Sequence, residues 1–401
     1  MSDRHVDHLL IGAGVASATC AATLREEGAV GSVLVVGREL DAPYHRPPIT
    51  KAILRGTSSR QDALVHPDGW WARHDVELLT RTAVTALHPA RRTAVLSTGE
   101  TMGYGTALVA TGATVRRLDV EGADLDAIHY LRTPGNADSL RRDLAGAEHV
   151  ACVGGSYIGC EVAASLTSMG IPCTVLMLEQ EPLERHFGAT VGRYFRGVLE
   201  ARGVQVLGGV EVAAFTGVDD LVTGAVLADG RTVAADAVVC GIGAIPDVAL
   251  ARKAGLAIGS GGGVACNSTL RTSAPDVFAA GDMCEYDSVV HGRTLRVEHE
   301  DVAAAQGAAV ARGMLGAIEP YDVVPHFWAE LADWTALRSV GPAAGWDQEV
   351  VSGSIADGVF SVFYLSGGRV QATLAVGGRD DDLERGRTLI VSGETVGADG
   401  P

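Results

Sequence analysis

Short, unbroken apolar runs alternate with longer alanine-rich stretches through much of this chain. His8-Leu9-Leu10-Ile11, Ser32 to Val36 and His149 to Val153 are such runs. They are too short for helices and read as strands buried on both faces, the pattern of a parallel sheet. A helix is predicted over about Tyr157 to Met169, with the next strand at Cys173 to Leu178. Short alternating segments around Val95 to Thr106 predict a meander, and Ala107 to Gly112 a buried strand ending at a tight turn. Leu221 to Leu227 and Thr232 to Val239 flank Asp229-Gly230, a hairpin signal. The strand Asp276 to Ala280 ends at Gly281-Asp282, and apolar residues at helical spacing predict a helix over Asp301 to Leu315. From about Val323 the pattern becomes strand-like, with Trp328, Trp334, Trp346, Phe360 and Phe363, which predicts a small third domain.

Two of the strand-to-helix junctions are rich in glycine: Gly12-Ala13-Gly14-Val15-Ala16-Ser17 and Gly154-Gly155-Ser156-Tyr157-Ile158-Gly159. Small residues there let a backbone approach a pyrophosphate, and the helix N–H groups face the anion. One such turn is a weak signal. Two in the same strand–turn–helix setting point to two dinucleotides, and the natural pair is FAD with NAD(P)H.

Composition narrows the picture. The 401 residues are 47% hydrophobic and 20% charged, ordinary for two or three globular domains. A net charge of −17 argues against nucleic acid and anionic membranes as partners. No apolar run reaches the roughly 18 residues of a membrane span. Met1 to His5 has no basic start with an apolar core behind it, so a cytoplasmic location is expected. The seven cysteines show no C-x-x-C or C-x-x-x-x-C spacing, which predicts neither a metal site nor a redox-active disulfide. His5, His45, His186 and His326 stand apart in sequence and are expected in solvated or capping roles.

In chain order, several segments resemble the FAD- and NAD(P)H-dependent ferredoxin reductases of oxygenase and P450 systems. They are Gly12 to Ser17, Arg46-Pro47-Pro48-Ile49-Thr50-Lys51, Ala110-Thr111-Gly112 with Arg116, Tyr130 to Thr133 and Gly154 to Glu161. Gly241 to Asp247, Ala279-Ala280-Gly281-Asp282, Val297-Glu298-His299 and His326-Phe327-Trp328 continue the series. Apoptosis-inducing-factor-like and monodehydroascorbate-reductase-like flavoproteins are wider relatives.

The resemblance implies an α/β fold with two Rossmann-like dinucleotide-binding domains and a small α+β C-terminal domain. An FAD domain would occupy 1–112 and 244–322, an inserted NAD domain 113–243, and the C-terminal domain 323–401. Non-covalent FAD would lie on Gly12, Gly14, Ala16 and Ser17. Arg38 stands where an acid usually meets the adenosine ribose; Arg38 stacks on adenine or meets a phosphate, or Glu39 takes the ribose. Arg46, Val84, Ala110, Thr111, Gly112, Arg132, Gly243, Gly281, Asp282, Glu298, His299 and Trp328 complete the expected flavin side, with Asp282 on the ribityl hydroxyls. Lys51 near flavin N5 and its partner Glu161 are the expected catalytic pair.

Gly154, Gly155, Ser156, Tyr157, Ile158 and Gly159 would hold the nicotinamide dinucleotide, and Glu179 its ribose. Glu179 and Glu181, with no Arg before Arg185, favour NADH over NADPH. Glu300 replaces a residue often aromatic or apolar in the family, and its charge is expected to lower the flavin potential or repel an acidic partner. The leading expectation is an NADH:ferredoxin reductase with a small ferredoxin as partner, monomeric or homodimeric. The alternatives are an NADH-dependent reductase of a quinone or organic radical, or a non-catalytic NADH-responsive redox sensor.

Overall fold

The computed structural model describes residues 4–396. Of the segment Met1 to His5 read above, Met1 to Asp3 lie outside them. The chain forms two units. The first combines Met1–His45, Gln61–Thr114 and Ile245–Phe327, and the second Arg46–Arg60, Val115–Ala244 and Trp328–Pro401.

In the first unit the strand Arg4–Ile11 lies parallel between Val33–Val36 and Thr101–Val109. Val76–Leu79 extends the sheet beyond Val33–Val36, and Val277–Ala279 pairs with Thr101–Val109, both in parallel. Val84–His88, Thr93–Leu96 and Thr101–Val109 form the expected antiparallel meander. Leu9, Leu10, Leu34, Leu108 and Phe278 are wholly buried, as unbroken apolar runs demand of strands covered on both faces. The helices Val15–Glu26 and Glu300–Met314 pack closely because small residues meet at their crossing. A Cβ placed on Gly307 would lie 2.2 Å from the carbonyl oxygen of Ala16.

In the second unit a parallel sheet runs in the order Gln205–Leu207, Cys173–Leu176, Val150–Val153, Ala237–Cys240, Ile128–His129. Helix Tyr157–Ser168 follows its central strand. The segment Thr232 to Val239, expected as one strand, is two: Thr232–Ala234 closes a hairpin and Ala237–Cys240 joins the parallel sheet. Asp236 marks the break. Its carboxylate accepts the backbone N–H groups of Glu148 at 2.8 Å and His149 at 3.0 Å, leading into Val150–Val153. The strand at Cys173 stops at Leu176, two residues earlier than expected, and Met177 then packs beneath the glycine-rich turn.

The C-terminal part is a five-stranded sheet ordered His326–Leu331, Thr335–Val340, Arg369–Val376, Val359–Ser366, Gln348–Ser354. Helix Asp380–Ser392 lies on it, with Gly386 allowing close approach to Thr373. The fold is the expected α/β arrangement with a small C-terminal α+β domain. All seven cysteines are buried and free. Among the described residues no helix is long and apolar enough to cross a membrane, and no cluster of ligating side chains could hold a metal.

Gly307→Ala forces the two packed helices apart. Overpacking of this kind costs about 1–3 kcal/mol, which lowers the melting temperature by roughly 2–12 °C for a unit of this size. Thermal denaturation followed by circular dichroism measures it; an unchanged midpoint would show that the helices adjust freely.

Candidate functional site

The two glycine-rich turns are built alike. Gly12 has φ +105° and Gly154 φ +110°, backbone that only glycine adopts readily. A Cβ on Gly12 would lie 2.1 Å from the carbonyl oxygen of Ala110, and one on Gly154 2.3 Å from that of Gly241. Each first glycine therefore lets the turn close onto the end of the next strand of its sheet. Gly14 and Ser156 are the N-caps of the following helices, and neither supplies a side-chain cap. Neither helix has an acid in its first turn. Backbone N–H groups and a positive helix end are thus left for an anion, and the cradle is the one a pyrophosphate requires. Gly159 completes the second turn, since any side chain there would strike the carbonyl oxygen of Gly154 at 1.9 Å. Ile158 lies against Gly241, and Ala16 and Ser17 are buried in the first helix.

Arg38, Thr111 and Asp282 each come just after a parallel strand of the first unit. Arg38 pairs with Asp247 at 2.8 Å, and Glu39 accepts the Tyr44 hydroxyl. Asp247 also accepts Thr111 Oγ1 through its carbonyl at 2.6 Å and donates its N–H to the Gly112 carbonyl at 2.8 Å. Arg38 is thereby tied to the Ala110-Thr111-Gly112 turn. Val84 opens the first strand of the meander. Gly281, at φ +80°, donates its N–H to the buried Gln306 side chain at 2.8 Å, which fixes the turn carrying Asp282. Arg296 donates to the Asp282 carbonyl at 3.0 Å and pairs with Glu298.

His299 occupies the N-cap position of helix Glu300–Met314 without a side-chain cap bond, and the helix's first two residues are both acidic. Glu300 is not a lone charge: it lies 2.7 Å from His45 Nδ1, and Asp301 lies 2.6 Å from His326 Nδ1. His45 and His326 are therefore carboxylate partners rather than isolated groups. The hydrogen bond to Glu300, with its negative charge and that of Asp301, raises the His45 pKa above the ordinary 6.5, against an opposing effect of burial.

In the second unit, Glu179 follows the end of Cys173–Leu176, the expected place for an acid on the ribose. Arg185 Nη2 lies 2.8 Å from its Oε1. The Arg185 side chain is 74% exposed and that of Glu179 27%, and pairs this open to water contribute only about 0.2–1 kcal/mol. Glu181 faces elsewhere: Arg196 Nε holds it at 2.6 Å. Of the two acids expected to favour NADH, Glu179 thus pairs with Arg185 and Glu181 with Arg196. Met177 packs on Gly155. Leu183 N–H donates to the Gly155 carbonyl at 2.8 Å, and His186 Nε2 sits 3.2 Å from Ser156 Oγ while stacking on Tyr157. Burial, aided by the Arg185 charge, lowers the His186 pKa. Gly243 is at φ +102°, its carbonyl accepting Arg116 N–H at 3.0 Å. Arg46 donates to the Arg132 carbonyl at 2.7 Å, at the start of a helix capped by Thr133 and Asn136.

Lys51 and Glu161 meet at 2.7 Å with only 7% and 6% of their surfaces exposed. Pro47 and Pro48 open the 3-10 turn that ends at Thr50 and delivers Lys51. Glu161 is the fifth residue of helix Tyr157–Ser168. Lys51 holds its Oε1; Thr50 Oγ1 donates to its Oε2 at 2.7 Å. Ser165, one turn further along the same face, donates to the Thr50 carbonyl at 2.7 Å. Lys51 Nζ also lies 5.1 Å from the ring centre of Trp328, within cation–π range. Removing one partner of such a buried pair costs about 3–5 kcal/mol. Thr50 sits in the quoted Arg46-to-Lys51 segment without a role expected of it, and Arg185 and His45 are brought to these partners by the fold alone.

A family model described as pyridine nucleotide-disulphide oxidoreductase matches residues 6–307, and one described as reductase C-terminal matches 326–400. The chain is 34% identical over 392 residues to a ferredoxin–NAD(P)+ reductase of a Sphingomonas species, covering 97% of this chain and 94% of that protein. It is 35% identical to the ferredoxin reductase subunit of a 5,5'-dehydrodivanillate O-demethylase from a Sphingobium species, covering 98% and 95%. The crystal structure of a covalent putidaredoxin reductase–putidaredoxin complex superposes with TM-score 0.91 at 31% identity, covering 98% and 94%.

Thr50→Val leaves a buried carboxylate oxygen without its donor, at a cost of about 1–3 kcal/mol. The expected fall in melting temperature is roughly 2–12 °C, and Thr50→Ser restores most of it; failure of serine to rescue would assign the loss to packing. A second prediction follows from His45. A pKa raised by folding stabilises the protein fully below the ordinary value of 6.5, and that contribution is lost as pH rises through the raised value. Glu300→Gln should therefore destabilise more at about pH 6 than at about pH 9. Melting curves across that range test this, and a gap independent of pH would contradict it.

Proposed function

Because the chain belongs to the pyridine nucleotide-disulphide oxidoreductase family and ends in a reductase C-terminal domain, we propose that it is an FAD-dependent NADH:ferredoxin oxidoreductase of an oxygenase or P450 system. The observation that carries this reading is the recurrence of one uncapped, glycine-closed helix start in two sheets of one chain. One dinucleotide needs one such cradle; a flavin fed by a nicotinamide needs two. Near-full-length similarity to ferredoxin reductases supports a small ferredoxin as acceptor. The reading divides the chain into an FAD domain at 1–112 and 244–322, an NAD domain at 113–243 and a C-terminal domain from 323.

In this reading FAD is held without a covalent bond by the turn Gly12 to Ser17 and by Asp282. When bound, the nicotinamide supplies a hydride and the flavin passes the electrons on singly. Lys51 places a fixed cation where negative charge builds up, already paired with Glu161 so that no solvent must reorganise during the reaction. Thr50 keeps Glu161 in place. Glu179 accepts hydrogen bonds from the free ribose hydroxyls and opposes a 2′-phosphate, so NADH is the preferred donor. Seven buried free cysteines suit a reducing cytoplasm.

Purified protein is expected to release one FAD on acid precipitation and to drive NADH- and ferredoxin-dependent reduction of cytochrome c. Lys51→Met should slow flavin reduction by NADH about 100-fold, by analogy with loss of a preorganised electrostatic group. Recovery of FMN or of no flavin would overturn the cofactor assignment. A reduced flavin that persists in air and never reduces a ferredoxin would make the protein a sensor instead.

A further inference from the structure

We propose that Arg185 is a specificity-determining residue that lets this protein accept NADPH beside NADH, by receiving the 2′-phosphate that Glu179 opposes. The assignment rests on Glu179 being the acid at the adenosine ribose.

In dinucleotide folds an acid after the second strand takes the ribose hydroxyls, whereas an arginine nearby takes a 2′-phosphate. This chain holds both, 2.8 Å apart. Neither of the other candidates for that edge is available. Glu181 is engaged by Arg196, which also donates to the Val206 carbonyl at 3.0 Å. Met177 is packed on Gly155.

The turn that carries Arg185 is anchored to the nucleotide loop from both sides. Leu183 N–H binds the Gly155 carbonyl at 2.8 Å, and His186 reaches Ser156 at 3.2 Å and stacks on Tyr157. Gly188, at φ +78° and ψ 169°, interrupts the helix Glu184–Ala201 just beyond. Its glycine-only backbone separates the anchored first turn from the remainder of the helix. The Cα of Arg185 is thus fixed beside the loop while its guanidinium, 74% exposed, stays on the solvent side of Glu179.

An exposed pair of this kind opens at little cost. With a 2′-hydroxyl present, Glu179 turns to the ribose and Arg185 is released to water. With a 2′-phosphate present, the planar guanidinium forms two parallel charge-assisted hydrogen bonds to it and screens Glu179. The preference for NADH is then real but narrow.

Two probes isolate the 2′-phosphate: 2′,5′-ADP and 5′-AMP, each titrated calorimetrically into the FAD-loaded protein. Arg185→Ala should weaken 2′,5′-ADP binding about 10- to 100-fold and change 5′-AMP binding less than about threefold, the span expected for charge-assisted hydrogen bonds. Arg185→Lys should recover part of the loss. In stopped-flow flavin reduction, the NADH-to-NADPH ratio should widen by about tenfold in Arg185→Ala, in line with the loss of those bonds. Equal weakening of both probes, or unchanged 2′,5′-ADP binding, would overturn the proposal. Glu179→Gln tests the parent reading separately. It should tighten 2′,5′-ADP, and indifference of both probes to that variant would overturn the ribose assignment itself.

Discussion

The organisation of this molecule depends on a backbone contact that leaves no room for a side chain. At Gly12 and again at Gly154 a Cβ would fall about 2 Å from a carbonyl oxygen of the neighbouring strand end. That closeness lets each strand turn at once into its helix. Both helices begin without a side-chain cap: Gly14 has no side chain to offer, and the Ser156 hydroxyl faces His186 instead. An uncapped helix start is ordinarily a defect in hydrogen bonding. In the proposed reading that defect becomes useful, since free N–H groups at a helix start suit a pyrophosphate. The crossing of Gly307 on Ala16 extends the same logic to the helix pair of the first unit.

Charge in the interior is handled differently. Lys51 and Glu161 are nearly fully buried, and they are tolerable only because each oxygen of the carboxylate has its own donor. The donors come from one proline-fixed turn, so the position of the lysine and the state of the glutamate are set together. A pair of this kind contributes little net stability compared with an apolar core. In the proposed reading its value is to hold a cation at a defined point in a dry environment, where an electrostatic interaction acts at greater strength than in water.

Much of this was legible in the sequence. The unbroken apolar runs gave parallel strands, and the two glycine turns gave the cradles, because both depend on steric rules local to a few residues. What escaped was contact between distant segments. His45 and Glu300 are separated by 255 positions, and no spacing rule links them. The strand expected across Thr232 to Val239 divides at Asp236, whose carboxylate binds two backbone N–H groups of a segment distant in sequence. Glu181 counted as a second acid in favour of NADH on proximity in sequence alone; the helix that follows returns Arg196 to it.

The histidine–carboxylate pairs change how the acidic residue at position 300 should be understood. A bare carboxylate at the start of a helix gains from the helix dipole and adds one full negative charge to its surroundings. Paired with His45, whose pKa the contact raises, the same carboxylate adds less net charge at low pH and more at high pH. Asp301 and His326 repeat the arrangement one residue on. The N-terminus of helix Glu300–Met314 therefore presents a charge that depends on the protonation of His45, and substituting Glu300 alone also strands its imidazole. Any effect of position 300 on the flavin or on an acidic partner has to be argued for the pair, with His45 varied alongside it.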